Sequence, residues 1–266
     1  MPTQPNDPIL LYLWQRRTLY LGELPPVPDL TPAATTLLMG MEKPFLIRDY
    51  ASGHEVMTRS ALIPAGTRFG ADPLNQNMVN CYLDPLGQDL IYLRPQMQHQ
   101  LGKILIDSKL EPKLLHQFQS IFNEELAPEI AYQNLALNIF ANEQANQQSE
   151  AQQKIIKVIE LIRGDPLSNK PADALAQQAG LSTSQMNRWF KRFTGVPVRR
   201  YRLWHRLFVT ANLMAFGKTL TEAAHTAGFS DSSHLNHTFR SMLGMAPSFV
   251  FQRSDRLRIF SSNREK

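Results

Sequence analysis

The chain predicts an α+β protein: a small β-barrel carrying a helical hairpin, then an all-α domain with two helix-turn-helix units joined by a long helix. Three observations lead there. Short apolar runs broken by Pro, Gly, Asn and Asp clusters fill residues 9–106, the pattern of strands and tight turns. One helical-hairpin pattern occurs twice between Leu175 and Val250. Charge divides between the halves: residues 1–149 carry 10 Lys+Arg against 15 Asp+Glu, a net of −5, and residues 150–266 carry 18 against 8, a net of +10. At 266 residues there is chain enough for two cores. The expected domains are 1–106 (barrel), 107–149 (hairpin and linker) and 150–266 (double helix-turn-helix).

In the first half the candidate strands are Ile9 to Gln15, Arg17 to Leu21, Thr36 to Met41, Phe45 to Arg48, Thr58 to Ile63, Met78 to Leu83 and Leu90 to Leu93. Pro64-Ala65-Gly66-Thr67 and Asp84-Pro85-Leu86-Gly87 are turns. A barrel of such strands either holds a small molecule or is filled by its own side chains. A metal site needs clustered histidines with a carboxylate, and here only His54 and His99 occur, 45 residues apart, so no metal or other cofactor is expected. Cys81, the single cysteine, excludes an intrachain disulfide and reads as a small buried hydrophobe in a strand.

Leu114, Leu115, Phe118, Ile121, Phe122 and Leu126 keep a helical period up to Pro128, and Tyr132, Leu135, Ile139 and Phe140 resume it. This hairpin either pairs two protomers or packs on the barrel. Asn142 to Gln153 reads as a polar linker. Ile155, Ile159 and Ile162 stripe one further helix, stopped by Gly164-Asp165-Pro166.

The repeat follows. Its first copy reads Leu175-Ala176-Gln177-Gln178-Ala179-Gly180-Leu181-Ser182 and runs to Gly195; its second reads Ala223-Ala224-His225-Thr226-Ala227-Gly228-Phe229-Ser230 and runs to Gly244. The offset is 48 at the glycines (180 and 228) and 49 at the phenylalanines (190 and 239), so the second copy has one residue more just after its glycine. Ala176 and Ala224 are small where helices approach, and Gly180 and Gly228 suit a positive φ at a helix end. Ser182 with Gln185 makes a capping box, Ser230 or Asp231 can cap the second copy, and Thr219 with Glu222 caps the helix before it. Met186, Trp189, Phe190 and Phe193, and then Leu235, Phe239 and Met242, should bury each second helix on its first. The helix from Val198 to Phe216, with Tyr201, Trp204, Phe208, Ala211 and Met214 at helical spacing, should fix the separation of the two units.

With these residues in view, the chain resembles the AraC/XylS-type transcription regulators. The likeness covers residues 152–253: Ala176-(x3)-Gly180-Leu181-Ser182, Phe190-Lys191-(x3)-Gly195, Tyr201 with Arg206-Leu207, then Ala224-(x3)-Gly228-Phe229-Ser230-Asp231-(x)-Ser233 and Phe239-Arg240-(x3)-Gly244-(x2)-Pro247. Residues 9–145 resemble the family's cupin-like barrel and hairpin in layout only, and Phe69 stands where many members carry histidine. The resemblance implies a bacterial, effector-controlled regulator of transcription, either an activator or a repressor. Its partners would be double-stranded DNA, a small-molecule effector, RNA polymerase and a second copy.

Two rigidly spaced units would set two recognition helices in successive major grooves, about 34 Å apart. Their outward positions are the base readers: Ser184, Asn187 and Arg188 in the first, and Ser232, His234, Asn236 and His237 in the second. Arg188 suits O6 and N7 of guanine, and Asn187 suits adenine. Lys191, Arg192 and Arg240 lie toward the helix ends and suit phosphates. His234-(x2)-His237 lacks a third metal ligand.

The alternative is a DNA alkyl-repair protein with a methyl-acceptor cysteine, which needs an activated thiol; Cys81 has no Cys or His within ten residues. No phosphate-binding Gly-rich loop or nucleophile elbow occurs, so no enzyme is expected. The start Met1-Pro2-Thr3-Gln4-Pro5-Asn6-Asp7-Pro8 has no basic run and no stretch of 18 apolar residues follows, so a cytoplasmic protein without a membrane span is expected.

Overall fold

A computed structural model describes residues 7–140, 149–165, 167, 170–251 and 255–262. Residues 1–6, most of the expected polar linker (142–148) and Pro166 of the expected helix stop lie outside the described residues. Among those described, residues before 141 and from Phe239 onward make one contact-dense unit, and residues 149–238 make another.

The first unit is built on two sheets rather than one closed barrel. The larger comprises β1 (Ile9–Leu13), β2 (Thr18–Glu23), β4 (Thr36–Gly40), β7 (Ser60–Ile63), β9 (Asn77–Tyr82), β10 (Met97–Leu101), β11 (Ile104–Ser108) and β12 (Leu257–Ser261), in the order β10-β11-β7-β4-β9-β2-β1-β12. The smaller comprises β3 (Val27–Leu30), β5 (Phe45–Asp49), β6 (Glu55–Thr58) and β8 (Phe69–Asp72), in the order β3-β8-β5-β6. Side chains alternate across the large sheet. Leu37, Met39, Val79 and Cys81 face the hairpin core, while Thr36, Leu38, Met78, Asn80 and Tyr82 face the small sheet. A sheet covered on both faces reads as continuous apolar runs, as β1 and β4 do.

The hairpin, α2 (Glu111–Glu124) and α3 (Pro128–Ala136), packs on the large sheet. Leu114, Phe118, Ile121, Ala131 and Leu135 share one core with Leu10, Tyr12 and Trp14. Backbone groups freed at the hairpin bend are used: Tyr12 Oη donates to Leu126 O (2.8 Å) and Trp14 Nε1 to Pro128 O (2.9 Å). Arg17 then locks the arrangement, donating twice to Asp89 at 2.8 Å and once to Tyr132 Oη at 2.9 Å, under the Phe140 ring. Burial, and then the Asp89 charge, push the neighbouring Asp84 carboxyl up to about 6.

Three expectations change. Leu90 to Leu93 is not a strand but the end of α1 (Gln88–Leu93), because Gly87 at φ 73 turns the chain and buried Asp89 must meet Arg17 and the Asp84 N–H. The run Thr58 to Ile63 is two strands, since the chain leaves the small sheet at Thr58 and enters the large one at Ser60. Within 150–266, otherwise helical, Leu257–Ser261 forms a strand and pairs parallel with β1, placing Phe260 on Tyr12 with ring centres 4.6 Å apart.

The second unit holds α4 (Glu150–Gly164), α5 (Ala172–Gln178), α6 (Thr183–Thr194), α7 (Val198–Ala215) and α8 (Leu220–Thr226), with the start of α9 (Ser232–Leu243). Ser149 caps α4 through Gln152 N, and Ile155, Val158, Ile159 and Ile162 form its buried stripe. Helix α4 packs on α5 and α6, and α7 packs on α8. After α9 comes α10 (Pro247–Phe251).

Candidate nucleic-acid interface

The two turns are built alike, bond for bond. In the first, Gly180 (φ 66) donates to Gln177 O and Leu181 N to Ala176 O. In the second, Gly228 (φ 85) donates to His225 O and Phe229 N to Ala224 O. These are the paired bonds that satisfy the last carbonyls of a helix when a left-handed glycine follows it. Both alanines are buried, which brings the backbones together.

A new helix starts at once in each copy. Ser182 accepts from Gln185 N while the Gln185 side chain accepts from Ser182 N, the expected capping box. The same reciprocal pair joins Thr219 and Glu222 before α8. Of the two candidates in the second copy, Asp231 is the cap, its Oδ1 accepting from His234 N at 2.7 Å. That N–H, and then the Ser230 hydroxyl, hold its carboxyl below the usual range. Capping at Asp231 rather than Ser230 accounts for the extra residue of the second copy.

Side chains at equivalent places differ. On α6, Ser184, Asn187, Arg188, Lys191 and Arg192 are all exposed. On α9, Ser232, His237 and Arg240 are exposed, whereas His234 and Asn236 are half-buried. The Asn236 amide donates to Ser232 O at 2.8 Å, and the His234 ring lies edge-on to Phe229 with Nδ1 3.2 Å from Ser230 Oγ. Met186, Phe190, Leu235, Phe239 and Met242 are buried as expected; Trp189 and Phe193 are only half-buried.

The long helix α7 contributes more than the expected apolar stripe. Tyr201 and Ala211 are buried, but so are His205, Arg206 and Thr210, while Trp204, Phe208 and Met214 are half-buried. Tyr201 meets Phe190 of α6 edge-on at 5.5 Å and accepts from Arg163 Nε at 3.1 Å. Arg206 Nη1 donates to Gly228 O at 2.9 Å, so the joining helix grips the second turn directly. The sequence signal for Arg206 is a charge on a buried helical stripe beside Leu207, Thr210 and Ala211.

In the first unit, Cys81 is fully buried and burial pushes its thiol far above the ordinary range, leaving it protonated and a poor nucleophile. Between the two sheets is a cavity of about 20 Å³, edged by Phe69, room for one water. Among the described residues no group of three His, Cys, Asp or Glu could hold a metal, and no helix is long and apolar enough to cross a membrane.

Residues 175–253 match the family model of a helix-turn-helix domain. The HTH-type transcriptional regulator RipA of Corynebacterium glutamicum is 27% identical over 131 residues, 49% of this chain and 38% of that protein. The HTH-type transcriptional activator RhaS of Escherichia coli is 34% identical over 84 residues, 31% of this chain and 30% of that one. The chain thus matches only 38% and 30% of these curated relatives' length. The crystal structure of ToxT from Vibrio cholerae shares the fold, with a TM-score of 0.57 over 89% of this chain and 97% of ToxT at 12% identity. A second ToxT structure, with unsaturated fatty acid bound, has a TM-score of 0.56, covers 89% of this chain and 95% of that one, and is 14% identical.

Proposed function

We propose that this chain, whose residues 175–253 match a helix-turn-helix domain and resemble the AraC/XylS regulators, is a sequence-specific DNA-binding transcription regulator governed by a small-molecule effector in its amino-terminal domain. One observation carries the reading: two turns of identical bonding each present a capped helix with polar or basic outward side chains, on a segment of net charge +10 (residues 150–266). The base readers would be Ser184, Asn187, Arg188, Ser232, His234, Asn236 and His237, and the phosphate holders Lys191, Arg192 and Arg240. The shared ToxT fold, seen there with a fatty acid, supports effector control, and the likeness to RhaS supports activation. Such a regulator works in the cytoplasm on double-stranded DNA, with RNA polymerase and a second copy as further partners, and catalyses nothing. The buried, protonated Cys81 argues against the alkyl-repair alternative.

The test is selection from a random duplex library with the full chain. Arg188→Ala should lose discrimination of about 1–3 kcal/mol at one base pair. Arg192→Ala should weaken all sequences alike, with the log-log salt slope flattened by about 0.9 for the lost phosphate contact. An Arg188→Ala profile identical to wild type would refute α6 as a base reader.

A further inference from the structure

The chain after the second recognition helix is held twice on the amino-terminal domain. Leu243 and Met245 edge the cavity between the sheets, together with Leu30, Leu38, Phe69 and Asn80. Between them Gly244, at φ +76, closes α9 by donating to Arg240 O, and lies so near β3 that a Cβ there would come within 2.6 Å of Val27 Cγ1. Twelve residues beyond Met245, β12 is paired along all five of its residues with β1.

The cavity has a definite chemistry. No charged residue lines it, so a charged occupant would be buried without a partner. Asn80, 7% exposed, donates its amide to Tyr82 Oη at 3.1 Å, and its Oδ1 is buried without a hydrogen bond among the described residues. A buried acceptor left open calls for a donor. Leu243 and Met245 are among the side chains that bound this space of about 20 Å³. Methionine is unbranched and flexible, suited to filling such a place and to leaving it.

We propose that Leu243–Met245 is a removable plug, and that a small, uncharged, apolar molecule with one hydrogen-bond donor takes its place and donates to Asn80 Oδ1. The proposal rests on the effector-controlled reading above and names its ligand class. Withdrawal of the two side chains would open room on the order of 150 Å³, enough for an aromatic ring. Entry lifts Gly244, and with it the end of α9 that carries Arg240; β12 stays paired and keeps the displaced segment beside the mouth. Ligand and plug compete for one place, so ligand binding alters the hold on DNA.

Indole, an apolar ring with a single N–H donor, is the probe, and N-methylindole is the same ring without the donor. Titration of the full chain should give indole affinity about tenfold above that of N-methylindole, the value of one buried hydrogen bond. Met245→Ala, with less plug to displace, should bind indole more tightly than wild type. In wild type, saturating indole should remove amide exchange protection across 243–250 and leave it at Leu257–Ser261, a readout that needs no variant. Equal affinity for the two probes, or indole binding with unchanged protection at 243–250, overturns the proposal. If the full chain binds no DNA with or without indole, the regulator reading fails while the plug stands; if it binds DNA but not indole, the plug alone fails.

Discussion

The two helix-turn-helix copies share their turn bonds but not their surroundings. Nothing within 4 Å would meet a Cβ on Gly180, whereas the Arg206 guanidinium sits 3.3 Å from the equivalent point on Gly228. On α6 the outward Asn187 and Arg188 have no hydrogen bond among the described residues, while on α9 the matching Asn236 is tied to Ser232 and His234 to Ser230. The first copy leaves Asn187 and Arg188 exposed and uncommitted among the described residues. The second spends part of its polarity on itself, and its end is held by β3. A duplicated motif can thus keep its turn bonds while its two copies differ in what surrounds them.

The largest expected effect tests that difference in surroundings. Gly228→Val and Gly180→Val carry the same strain of a β-branched residue at positive φ, about 1–3 kcal/mol. Gly228→Val must also displace Arg206 and break its bond to the turn carbonyl, adding about 1 kcal/mol. Denaturation of both variants should therefore show the second copy to be the more sensitive. Equal losses would mean that the Arg206 contact contributes nothing.

A second effect, near the first copy, depends on pH. Burial, and then the Arg163 charge, push the His205 imidazole down to about 4, and its Nε2 has no hydrogen-bond partner among the described residues. Above pH 6.5 the ring is neutral whether folded or not, so it adds no pH dependence. Between pH 6.5 and 4 the unfolded chain binds a proton that the folded chain refuses, and stability falls by at most about 3 kcal/mol. His205→Leu should remove that part of the acid sensitivity; an unchanged pH profile would mean that the ring is solvated.

Much of this was legible in the residues because it is local. Turn glycines, capping boxes and the 48/49 offset are properties of a few adjacent residues, and the structure repeats them with Asp231 as the cap. Apolar runs mark β1 and β4, and β9 keeps Met78, Val79, Cys81 and Tyr82 around Asn80. The small sheet was harder, because β8 contains Gly70 and Asp72 and β3 contains Pro28, so neither reads as a strand; each is a strand through its neighbour. Leu90 to Leu93 has strand composition, but the buried Arg17–Asp89 pair decides its conformation from 72 residues away. The pairing of β12 with β1 joins the ends of the chain and leaves no local mark. At the candidate site, exposure on α6 followed from helical spacing, but the engagement of His234 and Asn236 depends on side-chain geometry that spacing does not contain.

The smallest effect bears on that last point. Asn187 and Asn236 occupy equivalent places, 49 residues apart, and both could pair with adenine. The Asn236 amide is half-buried and donates to Ser232 O, so it must give up an existing bond before it can read a base. Exchange of one neutral hydrogen bond for another has a net value near zero, while Asn187 exchanges only water. Asn187→Ala should therefore cost about 1–3 kcal/mol of discrimination at one base pair, and Asn236→Ala less than about 1 kcal/mol. Quantitative selection on the two variants compares them directly. Equal losses would mean that DNA frees Asn236 at no cost, and that both helices read sequence in the same way.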